Sequence, residues 1–366
     1  MTILVLCGEG NLCNMLARYA EAFRRRGIRL VCADPKFARN GTLDEWLEVC
    51  PERPSLIWHP ESDVPFLPWG LASVDIPTAC FQVDTYAYTN KRIAWSMLFD
   101  LALVFHPGYE AKFRDAGHPG ARFVAHAVDA QHFAGPEMKR TYEVGWVGQT
   151  DGSIYRLRGP ILNDLAKSFR MNDARRQYSL EEMAQVYRQS KIVVNVGRDD
   201  YQQDANLRTF EGMAGGALLF TSLPTELSAM GFEDGIHFVG YRAAEEIVPL
   251  VREYIADEPA RRKIAEAGRK KVLSEHTYDR RVDMFLELIA RSDNERPAPA
   301  RKWAESRVRL AYLDYFAGNG ALDCASAELP KIARHSLTEA AAGAALLGRA
   351  WERRARARIK ARFAQN

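Results

Sequence analysis

One stretch of the 366-residue sequence, NLRTFEGMAGG at 206–216, combines two charged side chains with a glycine pair. Asn206 is a good N-cap residue, so the pattern predicts a helix that begins at Leu207 and whose first amides form an anion site. Arg208 adds a guanidinium suited to phosphate, and Glu211 follows on the same helix face, where it could accept both hydroxyls of a ribose. The alternative from the residues alone is an exposed Arg208–Glu211 ion pair that holds no ligand.

Three further positions could take part in the same chemistry. In VGQTDGSIYRLR, at 147–158, Gly148 ends a predicted strand and precedes small polar residues, a geometry that lets phosphate approach the backbone. Asp84 follows a buried run, and Glu9 lies in the first loop, so either could act as a general base. Each of these two carboxylates could equally serve as a turn or capping group. The sequence contains no D-x-D motif, the spacing at which two aspartates chelate a metal ion.

The elements that must position these residues read as alternating strands and helices. Apolar runs without alternation, separated by helical spacing, predict parallel sheets covered on both faces. The predicted strands are 2–7, 30–33, 56–58, 78–83, 101–105, 123–125, 144–148, 192–196 and 217–221. Because the βα series restarts after a polar link at 135–140, the sequence predicts two Rossmann-like domains that face each other across a cleft. Ligands bind beyond the carboxyl ends of such strands, which is where the candidate residues fall.

The domain boundaries follow from these patterns. We predict an acceptor-side domain over residues 1–138, a second Rossmann-like domain over 139–295, and a helical extension over 296–366. Between Arg349 and Arg362 the extension holds seven basic residues against one acid, Glu352. This basic end is a candidate for contact with anionic lipid, and a solvated helix end is the alternative.

Composition limits the protein class. A net charge of +3 gives no strong field, so nucleic-acid binding is not expected. The six cysteines include no C-x-x-C pair, which argues against a zinc site or a disulfide framework. The chain shows no secretory leader and no apolar run long enough to span a bilayer. We therefore expect a cytoplasmic protein, with peripheral contact at the inner membrane face as the membrane option.

Residues 140–290 resemble a known enzyme domain. The matching segments are SKIVVNVGR at 190–198, NLRTFEGMAGGALLFT at 206–221 and EAGRKKVLSEHTYDRRV at 266–282, with Val147-Gly148 and Tyr155-Arg156 at the opening. Together they resemble the CgeB-like, spore-maturation branch of the glycosyltransferases group 1 family. The resemblance implies a GT-B architecture in which the second domain holds a nucleotide-diphosphate sugar and the first holds an acceptor.

The resemblance also implies roles for individual residues. Glu211 corresponds to the glutamate that bonds the nucleotide ribose. The residues implied at the diphosphate are Arg208, Asn206, Gly148, Gln149 and Arg156. The donor would be a nucleotide sugar, with a UDP-sugar favoured, and the acceptor a saccharide, a lipid-linked glycan or a protein. Enzymes of this architecture need no metal or other cofactor, since positive side chains and helix dipoles stabilise the leaving diphosphate.

One position departs from the family pattern. Retaining relatives carry a second glutamate eight residues before the ribose-binding one, and Gln203 stands there in this chain. The choice between retention and inversion therefore stays open, and an inverting mechanism would need Asp84 or Glu9 as its base. Two other functions remain as alternatives: a nucleotide-sugar epimerase on the same fold, and a non-catalytic nucleotide-sugar-binding or scaffold protein.

Overall fold

A computed structural model describes residues 1–8, 14–33, 40–61, 64–292 and 298–364. The chain forms two compact units: Met1–Val124 with Met284–Asn366, and Ala125–Asp283. The first boundary falls earlier than the predicted 138/139 because the segment after Val124 pairs with the second unit. There the Val128 N–H donates to the His276 carbonyl at 2.8 Å.

The first unit is built on a six-stranded sheet. Its strands are β1 (Thr2–Gly8), β2 (Arg29–Ala33), β3 (Leu56–His59), β4 (Thr78–Gln82), β5 (Leu101–Val104) and β6 (Ala121–Phe123). They run in the order β2-β1-β3-β4-β5-β6, and every pair is parallel. The helices between them are α1 (Asn14–Arg25), α2 (Leu43–Glu48), α3 (Thr89–Ser96) and α4 (Pro107–Asp115). Strands β1, β3, β4 and β5 are buried along their whole length, as unalternated apolar runs predict.

The second unit contains a four-stranded parallel sheet in the order β10-β9-β8-β7. Its elements are α5 (Ala130–Phe133), β7 (Tyr142–Gly145), α6 (Arg158–Ser168), α7 (Leu180–Arg188), β8 (Ser190–Asn195), α8 (Leu207–Ala214), β9 (Leu218–Ser222), α9 (Thr225–Ala229), β10 (Val239–Tyr241), α10 (Ala244–Ala256) and α11 (Glu258–Glu275). Alternate residues of β8 enter two apolar clusters, one with α7 and α8 and the other with α6 and α10. Both faces of the sheet are therefore covered.

The C-terminal helices complete the first unit. They are α12 (Tyr278–Ser292), within which the second unit ends, α13 (Glu305–Gly318), α14 (Leu322–Ala333) and α15 (Leu337–Ala364). Apolar residues of α13 and α14 share one core cluster with β1, β3 and β5, so the predicted extension is part of the first unit's core. Among the described residues, no helix is long and apolar enough to cross a membrane.

The predicted fold class is confirmed: the chain is α/β, with two parallel sheets and added C-terminal helices. Each of the nine predicted strands overlaps a strand of the structure, and β10 is the one described strand that the sequence did not indicate. A capping box between Ser179 and Glu182 begins α7. Helix α8 begins at Leu207 as predicted, and after its end at Ala214 the chain turns through Gly216, with φ +73°.

Candidate functional site

Five side chains gather at the carboxyl edge of the second unit's sheet. Four segments supply them: the residue after β7, the first residue of α6, the last residue of β8, and the first turns of α8. They are Trp146, Arg158, Asn195, Arg208 and Glu211. In parallel sheets this edge is where ligands bind, because helix N-termini and strand-end loops meet there.

Arg208 is fixed by its neighbours. Its Nε donates to the Val147 carbonyl at 2.9 Å, and its Nη1 donates to Oδ1 of Asn195 at 2.8 Å. The guanidinium lies 4.0 Å from the centroid of the Trp146 ring. Asn195 is itself oriented by donating to the hydroxyls of Thr209 and Thr221, each at 3.2 Å. The arginine is thus held in one orientation at the start of α8 before any ligand is present.

Gly148 is required by this arrangement. Its φ is +148°, a conformation that side chains rarely adopt, and a Cβ at this position would collide with Nη2 of Arg208. The backbone of Gly148 and the guanidinium of Arg208 are therefore direct neighbours. The structure brings together two residues that the sequence assigned to the diphosphate.

Arg158 provides a second cation beside Arg208. It is buried, donates from Nε to the Val196 carbonyl at 3.0 Å and from Nη1 to the Gln149 carbonyl at 2.9 Å, and stacks 3.7 Å from the Tyr155 ring centroid. Burial, and then the charge of Arg208, lower its pKa to about 10. Within the described chain neither guanidinium has a carboxylate partner. Two neighbouring positive charges without an ion-pair partner can attract an anion.

Glu211 lies on the same helix but does not pair with Arg208. Its side chain is only 9% exposed, and its carboxylate has no hydrogen bond or ion pair with any described residue. Burial raises its pKa to about 7, with the charge of Arg208 acting in the opposite direction. The exposed surface ion pair considered from the sequence is therefore wrong. What the structure shows is a buried carboxylate whose oxygens are available to a ligand's donors.

The other predicted donor residues occupy different positions. Asn206 is the residue before α8, but it makes no side-chain cap; its Nδ2 donates to Oδ1 of Asn195 at 3.2 Å. Gln149 is exposed and contributes its carbonyl to Arg158. Arg156 is also exposed and forms an ion pair with Asp199 at 3.1 Å. It thereby ties the loop after β7 to the loop after β8, outside the buried group.

Gln203 also has a partner. Its Oε1 accepts from the Thr225 N–H at 3.1 Å and from the Thr225 hydroxyl, at the start of α9. Nearby, the buried carboxylate of Glu226 accepts from the Tyr201 hydroxyl at 2.8 Å and from the Ala205 N–H at 2.9 Å. Both contacts anchor the loop between β8 and α8, which holds the start of α8 in place.

The two candidate bases belong to the first unit. Asp84 lies two residues after β4 and is exposed, and its Oδ1 accepts from the Tyr86 hydroxyl at 3.2 Å. It is thus at the carboxyl edge of its sheet, as predicted. Glu9 lies outside the described residues.

The part of the chain that contains this group of side chains matches a known protein family. Residues 138–287, which include every side chain of the gathered group, match a family model described as glycosyl transferase-like. Among solved structures, the sucrose-phosphate synthase of Thermosynechococcus elongatus aligns with a TM-score of 0.55 at 13% identity, over 80% of this chain and 98% of that one. The chain therefore has the GT-B fold, and its second unit matches a glycosyl transferase-like family.

Two other solved structures align with the chain over a similar extent. HepE from Anabaena, in complex with UDP and glucose, gives a TM-score of 0.56 at 11% identity and covers 79% of this chain and 99% of its own. An α-glucosyltransferase in complex with UDP and a 13-mer DNA gives 0.54 at 12% identity, with coverages of 79% and 99%. No curated protein matches the sequence.

The structure adds residues to the candidate site that sequence reasoning missed. Arg158 stands at the end of the quoted loop but received no role, and Asn195 stands inside the quoted SKIVVNVGR segment. A polar Asn at the end of an otherwise apolar strand was the available signal for the second. For Arg158 no such signal exists, because the loop that leads to it, before α6 begins, has no periodicity.

Proposed function

We propose that this chain is a glycosyltransferase and transfers a sugar from a nucleotide-diphosphate donor, with UDP-sugars favoured, to a saccharide, lipid-linked glycan or protein acceptor, without a metal ion. The observation that carries the proposal is the buried Glu211 carboxylate, which lacks any described partner and lies on the same helix as Arg208. A nucleotide sugar offers what both side chains lack: a diol that donates hydrogen bonds and a diphosphate that accepts them.

Each part of the donor finds a complementary group. The ribose hydroxyls would donate to the Glu211 carboxylate, and the diphosphate would accept from Arg208, Arg158 and the first amides of α8. When the bond from the sugar to the diphosphate breaks, negative charge develops on the departing phosphate oxygen. Two preoriented guanidinium groups and a helix N-terminus stabilise that charge more than they stabilise the ground state, which is how they would accelerate the reaction. The complexes of HepE and of the α-glucosyltransferase with UDP support UDP as the nucleotide.

The stereochemical course depends on the acceptor side. Gln203, at the position of the second glutamate of retaining relatives, uses its carbonyl oxygen to hold Thr225. This contact favours a loop-anchoring role and leaves the mechanism open to inversion. In that case Asp84 or Glu9 would remove the proton from the acceptor hydroxyl as the new glycosidic bond forms.

The basic end of the chain suggests where the enzyme works. From Trp351 to Arg358 every residue of α15 is exposed, and this segment contains four arginines against Glu352. An exposed tryptophan among arginines suits the interface of an anionic membrane, with about 1 kcal/mol per well-placed basic residue. We expect a cytoplasmic enzyme that touches the inner membrane face through this helix. Sedimentation with anionic liposomes, with and without residues 349–366, tests that contact.

A direct test of the function combines donor binding with product analysis. UDP-, GDP-, ADP- and dTDP-sugars are screened by thermal unfolding, since a ligand of the folded state must raise its stability. At least one should stabilise the wild type and fail to stabilise Glu211→Ala, while Arg156→Ala, outside the buried group, should respond nearly as the wild type does. NMR of the stabilising donor without acceptor separates the alternatives: inversion at a sugar carbon would indicate an epimerase. Binding without any transfer to acceptor extracts would indicate a non-catalytic binder.

A further inference from the structure

The first unit contains a cavity at the carboxyl edge of its sheet. It has a volume of about 140 Å³, and the C-terminal helices close it on one side. The end of β3 and helix α3 line it opposite α13 and α15. We infer that this cavity binds one neutral sugar ring of a saccharide, held by Lys91 of α3, Asp314 of α13 and Arg353 of α15.

The side chains at the floor of the cavity already contact one another through hydrogen bonds, ring packing and an ion pair. The His59 ring Nε2 lies 2.8 Å from the hydroxyl of Tyr315, and Trp95 packs against both rings, with centroids 5.0 Å and 5.3 Å away. Glu61 accepts from the Val83 N–H at 2.6 Å and forms an ion pair with Arg92. These groups give the pocket its shape, and the contacts described leave their charges compensated.

The three proposed contact residues differ from the floor because they lack partners. Asp314 and Lys91 are half-buried and Arg353 is exposed, and none forms a hydrogen bond or ion pair with the described part of the chain through its side chain. The nearest aromatic group to the Lys91 ammonium is the Tyr88 ring, with its centroid 5.4 Å away. Burial raises the pKa of Asp314 although Lys91, Arg349 and Arg353 act against that shift, so the cations are near it without contacting it. The cavity therefore lies between the Asp314 carboxylate and the Lys91 and Arg353 cations, which form no ion pair with it.

The mixture of charges selects the ligand class. An anion would suit Lys91 and Arg353 but would be repelled by Asp314, and an amine would suit Asp314 but would be repelled by the two cations. A hydroxyl group both donates and accepts, so adjacent hydroxyls of one sugar ring can donate to the carboxylate and accept from the cations at once. The cavity has the volume of roughly five water molecules, which suits a single ring with the rest of the glycan outside.

The role of the bound saccharide follows from its location. In a transferase whose second unit takes the donor, a saccharide site on the first unit is where the acceptor would bind, and this assignment rests on the function proposed above. The binding itself does not, because it depends only on residues of the first unit. Since Asp314 and Arg353 come from the C-terminal helices, those helices would select the acceptor.

The test is saturation-transfer NMR on the full chain with saturating UDP present, so that the donor site is occupied. The probes are the methyl glycosides of glucose, galactose, mannose and N-acetylglucosamine, with glucuronic acid and glucosamine as charged comparators. At least one neutral glycoside should bind, and its affinity should fall about tenfold or more in Asp314→Asn and in Arg353→Ala, because each removes a charged hydrogen-bond partner. Arg354→Ala is the matched control, since this neighbouring arginine does not line the cavity.

The outcomes separate this inference from the proposed transferase. Failure of every neutral glycoside to bind, or unchanged affinity in Asp314→Asn, overturns it, as does binding of the charged sugars alone. Lys91→Met, which removes only the ammonium, provides a second variant if Asp314→Asn unfolds. The uridine signals of UDP in the same samples report on the donor site. Loss of UDP binding with retained glycoside binding would contradict the transferase proposal and leave the saccharide site standing.

Discussion

Two regions of the molecule each bury a helical glutamate, but only one of the two carboxylates has hydrogen-bond partners in the described chain. In the C-terminal helices, Glu328 is 3% exposed and accepts from Arg309 at 3.0 Å and from Lys331 at 2.8 Å. In the second unit, Glu211 is 9% exposed and has no partner in the described chain. Burial alone therefore does not mark a functional carboxylate. The distinguishing property is the missing partner, because an ionised carboxylate without one is costly to bury.

The difference indicates which groups the fold completes and which it leaves for a ligand. Glu328 gains its hydrogen bonds when the chain folds, so its contribution is to stability. Glu211 would gain them only when a donor binds, so part of the stability of the free protein is exchanged for affinity. The same reasoning separates the compensated floor of the first unit's cavity from the uncompensated Asp314 above it. Matched substitutions in the two regions test this view.

The largest expected difference is in turnover. Arg208→Ala removes a guanidinium that has no carboxylate partner and that would face the departing diphosphate. We expect kcat/KM to fall about 10²–10³-fold, the usual cost of losing one preoriented donor. Arg309→Ala, which removes one of the two partners of Glu328, should leave kcat/KM within about threefold while lowering the unfolding temperature. Steady-state kinetics and thermal unfolding of both variants measure the contrast, and near-normal turnover in Arg208→Ala would contradict the site.

The next contrast is in the free energy of unfolding, which glutamine substitution should change in opposite directions at Glu328 and at Glu211. Glu328→Gln should lower the free energy of unfolding by roughly 3 kcal/mol, because Lys331 loses its carboxylate and Arg309 keeps only that of Glu305. Glu211→Gln should raise it by up to about 3 kcal/mol above pH 7, since the folded-state pKa of about 7 exceeds the usual 4.5. Between those pH values the folded protein binds more protons than the unfolded chain, so wild-type stability falls as pH rises. The advantage of the glutamine variant therefore grows from pH 4.5 to 7 and then stays constant.

Urea unfolding of the ligand-free variants across this pH range is the measurement. Equal destabilisation by both glutamine substitutions would show that Glu211 has a structural partner after all. In that case its assignment to the ribose would lose its physical basis.

A smaller effect is expected on the pH dependence of donor affinity. Hydroxyls that donate to Glu211 prefer its ionised form, so binding should strengthen about tenfold per pH unit up to pH 7 and level off above it. UDP-glucose suits the measurement because its diphosphate diester keeps its charge over this range. Calorimetry in buffers of different ionisation enthalpy should also detect proton release near pH 7. Glu211→Gln should bind more weakly and without this pH dependence, and a wild-type profile that is flat would refute the proposed contact.

The sequence predicted the fold more fully than the site, for physical reasons. Unalternated apolar runs predicted the parallel strands β1 to β9, and the N-cap residue Asn206 predicted the start of α8 at Leu207. The loop after β7 was different: the strand ends at Gly145 and α6 begins at Arg158, so no periodicity specifies the path between them. As a result Arg156, which the resemblance suggested, lies on the surface, while Arg158, two residues later, is buried beside Arg208.

The sequence also did not reveal which residues far apart along the chain contact each other. Glu211 and Glu328 each have a cation three residues away in the sequence, but only Lys331 pairs with its glutamate. The second partner of Glu328, Arg309, comes from another helix, so that contact depends on helix packing. The change in composition near residue 296 marked the C-terminal helices, but it did not indicate that they share a core with the first sheet.

The smallest contrast compares two glycines in the loop after β7. Gly148 and Gly152 have φ of +148° and +121°, so alanine at either position should cost about 1 kcal/mol of backbone strain. Only at Gly148 would the added Cβ collide with Arg208; at Gly152 its nearest neighbours are 3.4 Å or more away. Gly148→Ala should therefore weaken donor binding about tenfold by displacing the guanidinium, and Gly152→Ala should leave it nearly unchanged. Equal affinities in the two variants, measured by calorimetry with the same nucleotide sugar, would mean that the position of Arg208 does not control donor binding.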